Sequence, residues 1–427
     1  MQPQGGRMEL FMKQKLTKSE KSWILYDVGN SAFVLLVSTI LPIYFNYLAE
    51  DAGLSSVDYL AYWGYAASIV TIIVAFIGPV FGTFADYKNY KKPLFLIFLA
   101  IGIIGCLTLG ICATWISFLI IFIIAKVGFS STLVFYDSMI NDVTTNERLD
   151  EVSSQGYAWG YIGSCIPFLI SLLIVLGKDT IGISMPHAMM ISFVIVASWW
   201  FLCTVPLLKN YKQLNYVEKQ PHAVSNSFKR LWQTIKGLKN DPSVLLFMLS
   251  YFFYIDGVYT IIDMATAYGT ALGLDTAMLL VALLVTQIVA FPSAIIFGKL
   301  SSNYSSNKLI SICIAAYTGI TIFAMFMNSQ AHFWILAVCV GLFQGGIQAL
   351  SRSHFAKITP ADKSGEYFGL LDICGKGASF IGTTLVSVVT QISGNQSIGI
   401  GVLVILFIAG FVLFIKSFNV NQYQNKH

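Results

Sequence analysis

The sequence predicts an all-α integral membrane protein, with twelve transmembrane helices arranged as two pseudo-symmetric six-helix bundles. Three observations lead there. Twelve hydrophobic stretches fill the chain from Trp23 to Ile415, each close to the ~20 mostly apolar residues that a helix needs to cross the hydrocarbon core. Of the 427 residues, 56% are hydrophobic and 11% charged, and mean hydropathy is +0.71; a soluble domain carries roughly 25% charged residues. Features on either side of one long basic loop also repeat at a steady offset.

In order, the spans are expected at 23–48, 60–82, 93–113, 115–138, 153–176, 185–207, 243–268, 276–299, 308–327, 332–351, 365–391 and 395–416. They are read as helices because lipid offers the backbone no partners and tolerates no open sheet edge. Short connections make neighbouring spans antiparallel hairpins. The chain then divides into an N-terminal segment 1–22, a first bundle 23–207, a basic loop 208–242, a second bundle 243–416 and a tail 417–427. The loop is too short for a soluble domain, and 226–239 fits a short basic amphipathic helix on the inner leaflet.

Repetition supports the duplication. Ala52-Gly53-Leu54-Ser55 precedes the second span as Leu272-Gly273-Leu274-Asp275 precedes the eighth, an offset of 220. Gly82 and Gly298 close the second and eighth spans at an offset of 216, and Gly160 and Gly369 open the fifth and eleventh at 209. Duplicated halves characterise secondary transporters that rock about a site at the bilayer midplane.

Lys and Arg collect in cytoplasmic loops. Arg7, Lys13, Lys15, Lys18 and Lys21 precede the first span; Lys88, Lys91 and Lys92 follow the second; the 208–242 loop holds seven basic residues against Glu218 and Asp241. Both termini are therefore expected in the cytoplasm, and the protein in the bacterial inner membrane. The acidic loop 141–152 goes against the trend, but acidic residues count little in topology.

Other classes find little support. The net charge of +5 is accounted for by inside loops that also meet anionic lipid, so no nucleic acid is expected. No cleavable leader is evident. The seven cysteines all fall within spans, with neither disulfide nor metal-ligand spacing. The five histidines are scattered over loops and span ends, so no catalytic constellation forms. A phosphate-cradling G-x-x-x-x-G-K-[ST] loop is missing, which removes ATP as an energy source. No enzyme activity, cofactor or metal is expected, and the protein is read as a monomer.

Gly82-Thr-Phe-Ala-Asp86-Tyr-Lys88-Asn-Tyr-Lys91-Lys92 resembles the loop motif between the second and third helices of the major facilitator superfamily. It departs at Asn89, where that motif has a second glycine, and at Tyr90, where it has arginine; the second copy, Gly298-Lys-Leu300-Ser-Ser302, has lost its acid. Longer strings run along the chain: Trp23-Ile-Leu-Tyr26-Asp27-Val-Gly-Asn30-Ser31-Ala-Phe33, Ser154-Gln-Gly156-Tyr-Ala-Trp-Gly160-Tyr161-Ile-Gly163, Tyr251-Phe-Phe-Tyr254-Ile-Asp256-Gly257 and Gly345-Gly346-Ile-Gln348-Ala-Leu-Ser351-Arg352-Ser353. Together they resemble the vacuole-effluxer family of that superfamily, whose fungal members are associated with autophagy and amino-acid efflux from vacuoles. The resemblance implies the major facilitator fold, alternating access around a cavity between the first, fourth, seventh and tenth helices, and efflux of a small polar solute such as an amino acid.

Ionisable residues within spans cost ~2.5–3.5 kcal/mol each at a helix centre and so mark candidate sites. Asp256 lies near mid-membrane, and Thr260 and Asp263 follow at i+4 and i+7 on the same helical face. This stripe is read as binding a proton, a sodium ion or a substrate amine; the plainer reading is satisfaction by neighbouring helices. Asp27, with Asn30 and Ser31, is either a ligand cluster or a gate near the inner mouth. Asp372 and Lys376 form either a structural ion pair or, at Lys376, a site for a substrate carboxylate. Gln344 and Gln348 either line the cavity or bridge helices. Arg352 and Asp137 end spans at the inner mouth, where the resemblance implies gating for them and for Asp86; snorkelling to the interface is the plain alternative. The small-residue series Gly156/Gly160/Gly163 and Gly375/Ser379/Gly382 are read as packing surfaces that let the fifth and eleventh helices slide at the seam. The function that follows is a secondary transporter driven by an ion gradient or by its cargo's own. A lipid or drug flippase on the same scaffold is the alternative.

Overall fold

A computed structural model describes residues 15–54, 56–218, 223–271 and 276–424. Twelve long helices account for nearly all of them: α1 (Lys18–Asp51), α2 (Ser56–Ala85), α3 (Lys91–Leu109), α4 (Trp115–Ser138), α5 (Leu149–Leu176), α6 (Met185–Asn210), α7 (Pro242–Ala271), α8 (Thr276–Leu300), α9 (Ser306–Met325), α10 (Gln330–Ile358), α11 (Ser364–Ser393) and α12 (Gln396–Gln424). Among the described residues, eleven of these helices hold a stretch long and apolar enough to cross a membrane, and α11 holds a shorter apolar stretch, Ile381–Ser393.

Local chemistry sets several ends. Thr17 and Glu20 form a reciprocal capping box at the start of α1, and Thr114 with Ser117 does the same for α4. Ser305 and Ser329 cap α9 and α10. Within α1 a π turn covers Leu36–Ile40 just before Pro42, where the missing proline N–H interrupts the regular ladder. α10 runs past its expected end to Ile358, where Arg352 and Ser353 are buried against the other bundle and Ser351 and His354 against α7 and α12 of their own. Arg352 is thus inside a helix, not snorkelling at its end.

The duplication is visible in the packing. Neighbours α1·α5, α1·α6, α2·α4, α3·α4 and α3·α6 of the first bundle recur as α7·α11, α7·α12, α8·α10, α9·α10 and α9·α12 of the second. The seam obeys the same pseudo-symmetry: α2 packs on α11 as α8 packs on α5, and α5 packs on α10 as α11 packs on α4. Twelve crossings put the start of α1 and the end of α12 on one face, the terminal face.

Towards that face α2 and α11 meet with almost no intervening side chain. Gly82 of α2 and Gly365 of α11 approach so closely that a methyl on Gly82 would lie 2.2 Å from the Gly365 carbonyl oxygen; Gly78 and Gly369 are similarly apposed. Sliding surfaces were expected on the glycines of α5. Of these, Gly160 and Gly163 lie against Ser31 and Val28 of α1 within the first bundle, while Gly156 lies between Asp27 of α1 and Arg352 of α10, at the seam. Small residues let helices approach; glycine meets glycine across the seam between α2 and α11, and on the pseudo-symmetric side Gly298 of α8 meets Ser154 of α5.

The long loop folds back onto the α2–α3 connection. Val217 N–H donates to the Asp86 carbonyl at 2.7 Å, and a helix at Ala223–Gly237 packs on α2, as the basic amphipathic pattern implied. Asn89, standing where the related motif has glycine, has φ +65°. This is the left-handed region that asparagine tolerates and a β-branched residue does not. Asn89→Val is expected to lower stability by about 1–2 kcal/mol, and Asn89→Gly to leave it nearly unchanged; thermal unfolding in detergent checks both.

Candidate functional site

Three clusters of polar groups join or underlie the bundles. The first surrounds Arg352. Its helix, α10, carries the side chain across the seam into the first bundle, where it is 5% exposed. Nη2 lies 3.3 Å from Asp27 Oδ2 of α1, and Nη1 lies 3.1 Å from Asp137 Oδ1 of α4. Nε donates to Ser153 Oγ and Nη2 to the Ser153 carbonyl, both at 3.0 Å. The guanidinium also lies over three rings, at 4.2 Å from the Tyr157 centroid, 4.6 Å from Trp23 and 5.5 Å from Tyr136. Desolvated cation–π contacts are worth ~2 kcal/mol, and a planar guanidinium suits both partners at once. The cage is rigid: Trp23 stacks on Tyr136 at 4.5 Å and donates its indole N–H to the Tyr136 carbonyl.

The second cluster ties α2 to the start of α11. The Asp86 carboxylate is fully buried and accepts from the Gly365 and Glu366 backbone N–H groups at 2.7 and 2.9 Å. These are otherwise orphan donors at a positive helix end. Arg230 of the loop helix bridges Asp86 at 3.4 Å and Glu366 at 2.9 Å, and it donates to the Thr83 carbonyl. Lys91, also fully buried, reaches Ser364 Oγ at 2.9 Å across the seam and pairs with Asp142 at 3.4 Å within its own bundle. On the other side of the pseudo-dyad, Asp150 of α5 accepts from Ser353 at 2.6 Å and from Ser306 at 2.8 Å, and it pairs with Lys357.

The third cluster is internal to the second bundle. Asp256 of α7 is fully buried; its Oδ1 accepts from Thr260 Oγ1 at 3.2 Å and from the Gly382 N–H of α11 at 3.0 Å. Its Oδ2 is buried with no hydrogen-bond partner among the described residues. A methyl on Gly382 would lie 2.2 Å from Asp256 Oδ1 and 2.3 Å from Thr260 Oγ1, so only glycine admits this contact.

Residues 16–149 and 141–426 match the family model described as "Vacuole effluxer Atg22 like", which takes in almost the whole chain. This chain belongs to the vacuole effluxer Atg22-like family. The effluxer-like chain is 42% identical over 424 residues to the uncharacterized MFS-type transporter YxiO of Bacillus subtilis (strain 168), covering 97% of this chain and 99% of that one. It is 24% identical over 266 residues to autophagy-related protein 22 of Kluyveromyces lactis; that match takes in 57% of this chain and 53% of the fungal protein. In architecture it resembles the major facilitator superfamily transporter FucP in its outward conformation, with TM-score 0.71 and 13% identity over 94% of this chain and 97% of that one. The Atg22-like chain is therefore a multi-pass membrane transporter of the major facilitator fold, and its relatives are transporters, not enzymes.

The remaining expected site residues of the Atg22-like chain distribute unevenly. Asp27, Asp137 and Arg352 come together, with Asn30 donating to Asp27 at 3.5 Å. Asp256 and Thr260 are sealed against α11, whereas Asp263 is exposed. The helix seam at Gly382 takes the first two before the third is reached. Gln348 accepts from the Tyr161 hydroxyl of α5 at 3.4 Å, the bridging alternative. Gln344 is buried beside it, with an oxygen lacking a partner among the described residues. Asp372 lies next to Gly78 of α2. The Lys376 side chain, and with it the expected pair, lies outside the described residues.

Sequence reasoning missed Lys91, Arg230, Glu366, Asp150 and Lys357, together with the aromatic walls Tyr136 and Tyr157. Lys91 stands inside the recognised loop motif, where it was counted only as a topology marker. Tyr136 directly precedes Asp137 and was available as a pair. The others become visible only when distant helices meet.

Proposed function

We propose that this chain is a proton-coupled exporter of small polar organic solutes in the bacterial inner membrane, working by alternating access with the terminal face cytoplasmic. The observation that carries the coupling is Asp256. A carboxyl deep in the second bundle has one oxygen held by Thr260 and Gly382 and the other without a partner among the described residues, an arrangement suited to one proton more than to a substrate. A bare buried carboxylate is costly, so loading and release of a proton would change how tightly α7 and α11 hold together. The latches at Asp86, Arg352 and Asp150 support a conformer closed on the cytoplasmic side. Amino acids are favoured as cargo through the family, whose fungal members are associated with amino-acid efflux from vacuoles.

The test is counterflow and uptake in proteoliposomes with an amino-acid panel, with and without a pH gradient. Saturable counterflow and pH-driven accumulation of one class are expected; absence of counterflow for every amino acid would transfer the proposal to the flippase. Gly382→Ala is expected to disturb Asp256 and to cut pH-driven accumulation about tenfold or more, measured in the same assay.

A further inference from the structure

Arg352 is held as a ligand is held. One bundle supplies two carboxylates, three ring faces and a serine; the cation at their centre belongs to the other bundle. Trp23, Tyr136 and Asp27 have holding contacts of their own besides Arg352. Trp23 and Tyr136 fix each other by stacking and by the indole hydrogen bond, and Asn30 orients Asp27 from its own helix. When the bundles part at this face, α10 withdraws and the cage stays whole. It then presents Asp27 and Asp137 beside aromatic faces with no cation between them. Uncompensated buried carboxylates are strongly unfavourable, and ring faces select a weakly hydrated organic cation over a compact hydrated ion.

We propose that, in the inward-open state, this cage binds the guanidinium or primary ammonium group of a cytoplasmic solute in the place that Arg352 occupies when the inside is closed. The inference rests on the alternating-access reading above and narrows its cargo to solutes bearing an organic cation. Arg352 and the cargo exclude one another. Cargo bound in the cage therefore holds the inside open, and the return of Arg352 displaces the cargo's cationic group from the inner mouth. The guanidinium works as a tethered competitor.

Methylguanidinium is the probe, because it reproduces the bound group without the rest of a solute. Spin labels at Asn146→Cys and Asn303→Cys, both exposed and one on each bundle, report opening of the cytoplasmic side, with the half-buried Cys339 and Cys374 replaced by serine. Methylguanidinium is expected to enlarge the long-distance population of the otherwise native protein in a saturable way, and sodium at equal ionic strength to leave it unchanged. Asp27→Asn with Asp137→Asn should abolish the response. Arg352→Ala, which frees the cage, should bind the probe by calorimetry at least about tenfold more tightly than the native chain. If Arg352→Ala takes up the probe but the native bundles never respond, the probe is filling an engineered void and the proposal is overturned. An equal response to sodium overturns it too. Counterflow on the same preparation separates the two readings: a lost cage response with counterflow intact removes the cage alone, and an intact response without counterflow removes the carrier reading and leaves the cage standing.

Discussion

Replacing Asp256 by asparagine is expected to abolish uphill accumulation of cargo while leaving counterflow largely intact. Asparagine keeps the size of the side chain and an oxygen that can accept from Thr260 and the Gly382 N–H, at present 3.2 and 3.0 Å away. It cannot take up or release a proton. Exchange without net proton movement needs only the rocking of the bundles, so it should persist within about threefold. Concentrative transport driven by a pH gradient should fall about a hundredfold, to the level set by the cargo gradient. An exporter that still concentrates its solute with unchanged pH dependence would remove Asp256 from the coupling step. The comparison of both assays matters, because a variant that merely misfolds loses both.

The second large effect belongs to the glycine contact at the terminal face. Gly82→Val places a branched side chain where a single methyl already lies 2.2 Å from a backbone oxygen. A carbonyl cannot swing aside like the tip of a flexible chain, so the closed arrangement of α2 and α11 becomes inaccessible. Each bundle keeps its own interior, and the protein should still insert and purify as a monodisperse species. Trapped open on that side, it is expected to lose transport by about a hundredfold or more, and to show only the long inter-bundle distance between labels at 146 and 303. Gly319→Val is the control, since nothing lies within 4 Å of the added atom, and it should transport normally. Normal transport by Gly82→Val would mean that the apposition of these glycines is not an obligatory stage of the cycle.

Much of the scaffold was legible because membrane helices announce themselves by length and hydropathy. Span boundaries fell within a few residues of expectation except where helices extend beyond the hydrocarbon, as α10 does to Ile358. That extension explains why Arg352 was hard to place. Periodicity marks it as the end of an apolar run, while burial by another bundle makes it the middle of a helix. Asp86 was legible through its motif, although the motif gives no sign that it receives two backbone N–H groups from α11. The stripe Asp256, Thr260 and Asp263 illustrates a different limit. Helical spacing put three polar residues on one face, but what a face meets is decided by a glycine 126 positions away. The members Asp27, Asp137 and Arg352 were legible singly, but their convergence into one cage with Tyr157 was not, since α1, α4, α5 and α10 contribute separately to it.

The linker between the halves carries Arg230 into contact with both of them, through Asp86 on one side and Glu366 on the other. Two further fastenings stand alongside, at Arg352 and at Asp150. Such redundancy means that loss of any one of the three should leave the shut form still populated, and that paired losses should exceed the sum of single ones. A survey of individual substitutions would then rank every fastening as dispensable, and only combinations would reveal that the shut form depends on all of them collectively.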